Sequence, residues 1–244
     1  MPSKRAPPAV ANPPAAKPVA RTGNARLSPV EREKRIVEGA ITYFAEVGFA
    51  GRTRELSRRL GITQPLLYRY FPSKQALAER VYRTVFEGRW NPAWVSLIRD
   101  RTQPLRERLI EFYRQYSEAT YRPEWIRIYM HAALEGTGLN RRYIGMIERD
   151  FLSVLCLELR AHASAEAVRA PVSPAEIEFA WNLHGAMFYY AVRHHVYRTA
   201  MTVDFMDNAA FAVDSFLAGV KRVYPKLLTA SSHPKPVSRR ASAK

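Results

Sequence analysis

The stretch Arg52-Thr53-Arg54-Glu55-Leu56-Ser57-Arg58-Arg59-Leu60-Gly61-Ile62-Thr63-Gln64-Pro65-Leu66-Leu67-Tyr68-Arg69-Tyr70-Phe71-Pro72-Ser73-Lys74 decides the fold. Leu56 and Leu60 are four residues apart, so they share one face of a short helix. Gly61 permits the left-handed turn that ends it. Ile62 plugs the corner, and Thr63 is placed to cap a second helix. Pro65 falls in that helix's first turn, where a missing N–H loses nothing. Leu66, Leu67 and Phe71 then face inward. Two helices joined by a tight glycine turn form the shape that presents its second helix to a groove.

The outward residues have matching chemistry. Arg52, Arg54, Arg58, Arg59, Arg69 and Lys74 oppose a single acid, Glu55, which leaves this stretch at +5. Such a surface attracts phosphate. Thr63, Gln64 and Pro65 open the second helix, the part that reaches base edges. Gln can bond adenine in bidentate fashion, and Thr or Pro carbons can touch a thymine methyl. Tyr68, Arg69 and Tyr70 can reach phosphates and fix register, while Thr53 and Arg54 begin the first short helix. Ser73-Lys74 open the next helix, where amide donors, the dipole and the Lys74 charge together favour a phosphate. The expected partner is double-stranded DNA. Arg58 and Arg59 read equally well as phosphate contacts or as a solvated face.

Outward from this stretch, helical signals dominate. Ser28-Pro29 with Glu31 and Glu33 announces a first helix, whose apolar face is Ile36, Ala40, Tyr43, Phe44 and Val47. Gly48 stops it. A fourth helix starts at the Ser73 cap and extends to about residue 89, and Asn91-Pro92 breaks the pattern. Further helices are expected at 103–120, 123–135, 139–163, 174–198 and 204–224, with stripes such as Ile177, Trp181, His184, Phe188 and Ala191. No run of alternating β-branched residues bounded by turns occurs. The expected fold is all-α, with a three-helix helix-turn-helix domain over 27–74 and a larger helical bundle over 75–228.

Residues 1–26 hold six prolines and five basic residues with no acid, and 229–244 hold four more basic residues. Both read as disordered basic tails. They carry nine of the sixteen net positive charges, so the total charge alone says little about the folded part.

Gly48-Phe49, Leu56-Ser57, Gly61-Ile62-Thr63, Leu67-Tyr68-Arg69-Tyr70-Phe71 and Ser73-Lys74 together resemble the signature of the tetracycline-repressor (TetR) family, over about residues 30–80. The resemblance implies an all-helical homodimer, with a small DNA-binding domain and a larger ligand-sensing domain per chain. It also implies DNA-contact roles for Thr63, Gln64, Pro65, Tyr68, Tyr70 and Lys74. One departure stands out. Family members usually place a Thr-Thr or Thr-Ser pair before the first short helix, where this chain has Gly51-Arg52 and a loop one residue shorter. The phosphate contact assigned there passes to Arg52 or Thr53.

The second domain is rich in aromatic residues. The resemblance implies an effector pocket among its middle helices, for a small apolar or aromatic molecule, and the candidates are Tyr113, Trp125, Tyr129, His131, His184 and Phe188. Each also reads as ordinary core. Gly185 and Ala186, with Ala209, Ala212, Val213 and Phe216 at helical spacing, are candidates for a dimer interface built from the last two helices, with burial inside one protomer as the alternative.

Other chemistries find little support. His131 and Glu135 share a helix face and His194-His195 lie elsewhere, but spacing specifies no third metal ligand, so no metal or cofactor is expected. Walker, dinucleotide and nucleophile-elbow motifs are missing, so the chain does not read as an enzyme. Cys156 lies in an apolar run as an inert thiol. No apolar stretch reaches the ~18 residues of a membrane span, and the expected location is the cytoplasm. A DNA-binding architectural protein without an effector is the alternative function.

Overall fold

The computed structural model describes residues 27–165 and 169–231, with side chains described as far as Leu228. The basic arm and residues 232–244 of the tail lie outside the described residues. Among those described, every regular element is helical.

Helix α1 (Pro29–Val47) begins with a full capping box: Glu31 N–H donates to Ser28 Oγ at 3.2 Å, and Ser28 N–H donates to the Glu31 carboxylate at 2.8 Å. It buries Ile36, Ala40, Tyr43 and Phe44. Gly48 ends it at φ 77°, and a Cβ there would collide with the Glu135 carboxylate and come within 2.8 Å of His131 Nδ1. Gly48 therefore satisfies the turn and also a close approach from a helix more than eighty residues later.

Helices α2 (Thr53–Leu60), α3 (Gln64–Tyr70) and α4 (Lys74–Val85) follow. Leu56, Leu67, Phe71, Leu77 and Val81 close the small core against α1. Helix α4 stops at Phe86, short of the expected residue 89, and residues 87–89 tighten into a 3₁₀ turn. Phe86 is buried and packs on Tyr82, Trp125 and Tyr143, which pins the end of α4 to the bundle.

The bundle contains α5 (Ala93–Arg99), α6 (Leu105–Thr120), α7 (Pro123–Leu134), α8 (Leu139–Ile147), α9 (Ser153–His162), α10 (Pro174–His195) and α11 (Phe205–Ser231). Helix α5 was not foreseen: it is seven residues long and anchored by Trp94 and Ile98, too short for a clear period. Helices α8 and α9 form the single helix expected at 139–163, but a π turn at Glu148–Leu152 interrupts it. That turn carries Phe151 onto Phe112, rings stacked 4.0 Å apart. Helix α11 runs to Ser231, beyond the expected 224 and into the first residues assigned to the tail.

Buried ion pairs tie the far end together. The Arg160 Nε–H donates to the Glu176 carboxylate at 2.8 Å, and the Tyr224 hydroxyl donates to the same carboxylate at 3.0 Å, joining α9, α10 and α11. Despite burial, which opposes ionisation, these donors and Ser173 hold Glu176 below its ordinary carboxylate range. Arg108, on α6, donates likewise to Glu158 on α9 at 2.8 Å.

Candidate nucleic-acid interface

The reading head is built on α2 and α3. Thr63 caps α3 by accepting the Leu66 amide at 3.3 Å, and Gly61 makes the turn in the left-handed region at φ 65°. With Leu67 buried, the α3 periodicity turns Gln64, Pro65, Tyr68 and Arg69 outward. Three of the named residues then meet across the two helices. The Thr53 and Tyr68 hydroxyls are 3.0 Å apart, and the Gln64 amide donates to Thr53 Oγ1 at 3.3 Å. Hydrogen bonds from Thr53 and Gln64, reinforced by the Lys74 charge, lower the Tyr68 hydroxyl from its ordinary value. Gln64 is therefore held by a bond within the protein itself.

Arg52, Arg54, Arg58 and Arg69 are exposed and make no ion pair among the described residues. Arg59 differs. It pairs with Glu46, contacts Glu55 at 2.9 Å and stacks over the Tyr43 ring at 5.0 Å. These contacts join α2 to α1 while Arg59 stays exposed.

The start of α2 accounts for the departure at Gly51-Arg52. Arg52, not Gly51, is the N-cap, and no side chain caps the helix. A Cβ at Gly51 would come within 2.6 Å of Val47 and 2.7 Å of the Tyr43 ring, so a larger residue requires those side chains to shift. The Tyr43 hydroxyl donates to the Arg52 carbonyl at 3.1 Å instead.

Tyr70 is half-buried beside Leu27, Pro29 and Arg32 at the start of α1, and Lys74 is half-buried at the border with the bundle. Ser73 caps α4 through the Ala76 amide at 3.0 Å. Lys74 makes no ion pair among the described residues and stands at the first turn of α4.

The bundle candidates divide. Trp125 stacks on Tyr129 with centroids 5.4 Å apart, and Phe188 meets Tyr129 at 5.2 Å. Tyr113 and His184 are neighbours at 6.1 Å. Tyr116, Tyr121, Tyr143 and Phe151 complete this aromatic centre, and sequence periodicity did not single them out. The Tyr113 and Tyr121 hydroxyls, Trp125 Nε1 and His184 Nδ1 are buried without a hydrogen-bond partner among the described residues. Burial alone pushes His184 down to about 3, so the ring is neutral. His131 lies apart from this centre, on the other side of α7 against Gly48.

Of the interface candidates, Ala209 and Val213 are fully buried inside the protomer. They face the chain's own core because the apolar stripe of α11 also contains Leu217, Val220 and Tyr224. Gly185, Ala186, Ala212 and Phe216 remain at least partly accessible, beside the exposed Tyr189 and Phe211.

Two clamps join head to bundle. From α7, Arg127 Nε–H donates to the Ala45 carbonyl at 2.6 Å, and the Glu135 carboxylate accepts the Phe49 amide at 2.9 Å. From α8, Arg142 donates to Glu79 and Glu87 at 2.8 Å and lies over the Tyr82 ring. Sequence gave no sign of either, since each pairing spans more than fifty residues.

Residues 36–81, from the buried face of α1 through the first two turns of α4, match the family described as bacterial regulatory proteins, tetR family. The chain carries a TetR-family DNA-binding domain. Beyond it the whole architecture is shared. A protein from Mesorhizobium loti MAFF303099 assigned to the TetR family of transcriptional regulators superposes with a TM-score of 0.50 at 16% identity, covering 78% of this chain and 96% of that one. A TetR-family transcriptional regulator from Pseudomonas syringae pv. tomato str. DC3000 superposes with a TM-score of 0.53 at 19% identity, covering 79% and 97%. At that identity they share the fold. No curated protein matches the chain. The matched domain and the fold are those of TetR-family transcriptional regulators, and in this chain the α2–α3 face is exposed and cationic. No helix among the described residues is long and apolar enough to cross a membrane.

Proposed function

We propose that the protein is a homodimeric repressor that a small apolar or aromatic effector releases from its operator. The observation that carries this reading is the double engagement of α7. One side of α7 contributes Trp125 and Tyr129 to the aromatic centre, and the other holds α1 through Arg127 and Glu135. An effector that reorders the centre therefore moves the helix on which the reading head is mounted.

The centre favours a neutral, largely aromatic molecule. Its rings offer stacking faces, and the unpartnered atoms of Tyr113, Tyr121, Trp125 and His184 offer hydrogen bonds without a charge. Leaving such groups unpaired costs about 1–3 kcal/mol each, and a ligand that satisfies them recovers that cost. On DNA, Arg52, Thr53, Arg54, Arg69, Tyr70 and Lys74 supply backbone contacts with Tyr68, and Thr63, Gln64 and Pro65 read base edges. The accessible small residues Gly185, Ala186 and Ala212, with Phe216, form the partner face of α10 and α11.

A dimer sets two α3 helices about one DNA turn apart, ~34 Å, over a pseudo-palindrome. An effector that binds better to a splayed dimer shifts the population away from that spacing. Selection of duplexes from a random pool, followed by thermal-shift screening and release assays with aromatic compounds, tests this. A pseudo-palindrome released by a stabilising compound supports the reading. If removing residues 1–26 and 232–244 abolishes nearly all affinity and no compound stabilises the bundle, the architectural alternative replaces it.

A further inference from the structure

We propose a second ligand site, at the junction between reading head and bundle, that takes an amphipathic organic anion such as an aromatic carboxylate. A cleft of about 670 Å³ lies there, lined by Phe49, Lys74, Ala78, Glu79, Leu139 and Arg142 among others. That volume falls within the range of small-molecule pockets, roughly 300–1,000 Å³. It includes the Glu79–Arg142 clamp in its lining and shares none of the aromatic centre's residues.

Its chemistry is two-sided. Phe49, Ala78 and Leu139 supply an apolar floor. Lys74 has no ion-pair partner among the described residues, and neither has Arg141, whose guanidinium lies beside Gly138 on the rim. Arg142 is already matched by Glu79 and Glu87, and its guanidinium is the main cause that holds the Glu79 carboxyl below its ordinary range. The uncompensated charge in the cleft is thus positive. Helix α8 also opens here, at Gly138, with the Leu139 N–H donating to Thr137 Oγ1 at 3.4 Å. An apolar body on the floor with its carboxylate on Lys74 satisfies both halves.

The site has a regulatory consequence that rests on the proposed DNA role of Lys74. A carboxylate on Lys74 neutralises a phosphate contact, and the body of the ligand wedges α4 against the 137–139 turn. Occupancy then weakens DNA binding without involving the aromatic centre.

The test uses the full chain without DNA, with anilinonaphthalene sulfonate as fluorescent probe and naphthoate or neutral naphthylmethanol as competitors. Saturable binding displaced by naphthoate is expected. Lys74→Gln should weaken naphthoate about tenfold or more, the loss of one charge-assisted contact, and leave naphthylmethanol within twofold. Ala78→Phe should fill the cleft and abolish both, with an unchanged circular dichroism spectrum. Lys74→Gln changes a partly exposed side chain and keeps the test decisive if Ala78→Phe misfolds. Probe affinity within twofold of wild type in both variants overturns the site. If naphthoate binds the cleft yet leaves DNA affinity unchanged in a separate anisotropy titration, the site stands and its regulatory role falls.

Discussion

The Glu135 carboxylate accepts the Phe49 amide hydrogen at 2.9 Å, a bond between residues 86 positions apart. Together with Arg127 on the Ala45 carbonyl, it fixes the end of α1 to α7. A guanidinium at a helix C-terminus is also favoured by the helix dipole. Glu135→Ala should destabilise the chain by about 1–2 kcal/mol, because the Phe49 N–H loses its partner. Combined with Arg127→Ala, the loss in urea denaturation should depart from additivity, since both bonds hold one contact. Strict additivity would mean the two bonds act independently.

The hydrogen-bonded cluster of Thr53, Gln64 and Tyr68 predicts a division of labour on DNA. Tyr68→Ala and Lys74→Ala should weaken binding to all sequences alike, and Lys74→Ala should lower the salt slope by about one. Gln64→Ala should instead lose about 1–3 kcal/mol at particular base pairs. Fluorescence anisotropy against single-base operator variants at several salt concentrations separates these. Unchanged affinity in a Tyr68/Lys74 double variant would remove both from the interface.

A side chain at Gly51 would have to displace Val47 and Tyr43. Restoring a threonine, as Gly51→Thr, should therefore destabilise the head by about 1–3 kcal/mol despite adding a potential capping hydroxyl. A thermal melt that rises with this substitution would show that the loop can move aside.

His184 carries a pH signature. Its pKa lies near 3 in the folded protein, through burial among Tyr113, Tyr116, Phe151 and Trp181, against an ordinary 6.5. The unfolded chain binds more protons between those values, so the stability is complete above 6.5 and is lost as pH falls. Between about pH 6.5 and 5 the loss should reach roughly 2 kcal/mol. His195 is lowered too, mainly by burial, and adds in the same direction. His184→Phe should remove most of the slope in urea titrations over this window. An identical slope in that variant would assign the effect elsewhere.

The accessible face of α10 and the buried stripe of α11 should respond differently to charge. Ala186→Arg is expected to give folded monomers by sedimentation, with weaker operator binding. Val213→Arg, placing a charge in the protomer core, should unfold the chain. A dimeric Ala186→Arg protein would move the partner face away from α10.

Sequence alone determined the helices and the reading head, because caps, turns and apolar periods act over a few residues. The Ser28–Glu31 box, the Gly61 turn and the Thr63 cap are local bonds, and each is found where its residues stand. Helix α5 escaped because seven residues give too few repeats of a period, and the π turn because no local signal marks it. Tertiary structure alone decided which side chains act together. It separated His131 from the aromatic centre, paired Arg59 with Glu46 of α1, turned Ala209 and Val213 inward, and brought Glu135 to Phe49. Those outcomes depend on how helices distant in the chain are packed, and a helical stripe looks the same in sequence whichever neighbour covers it.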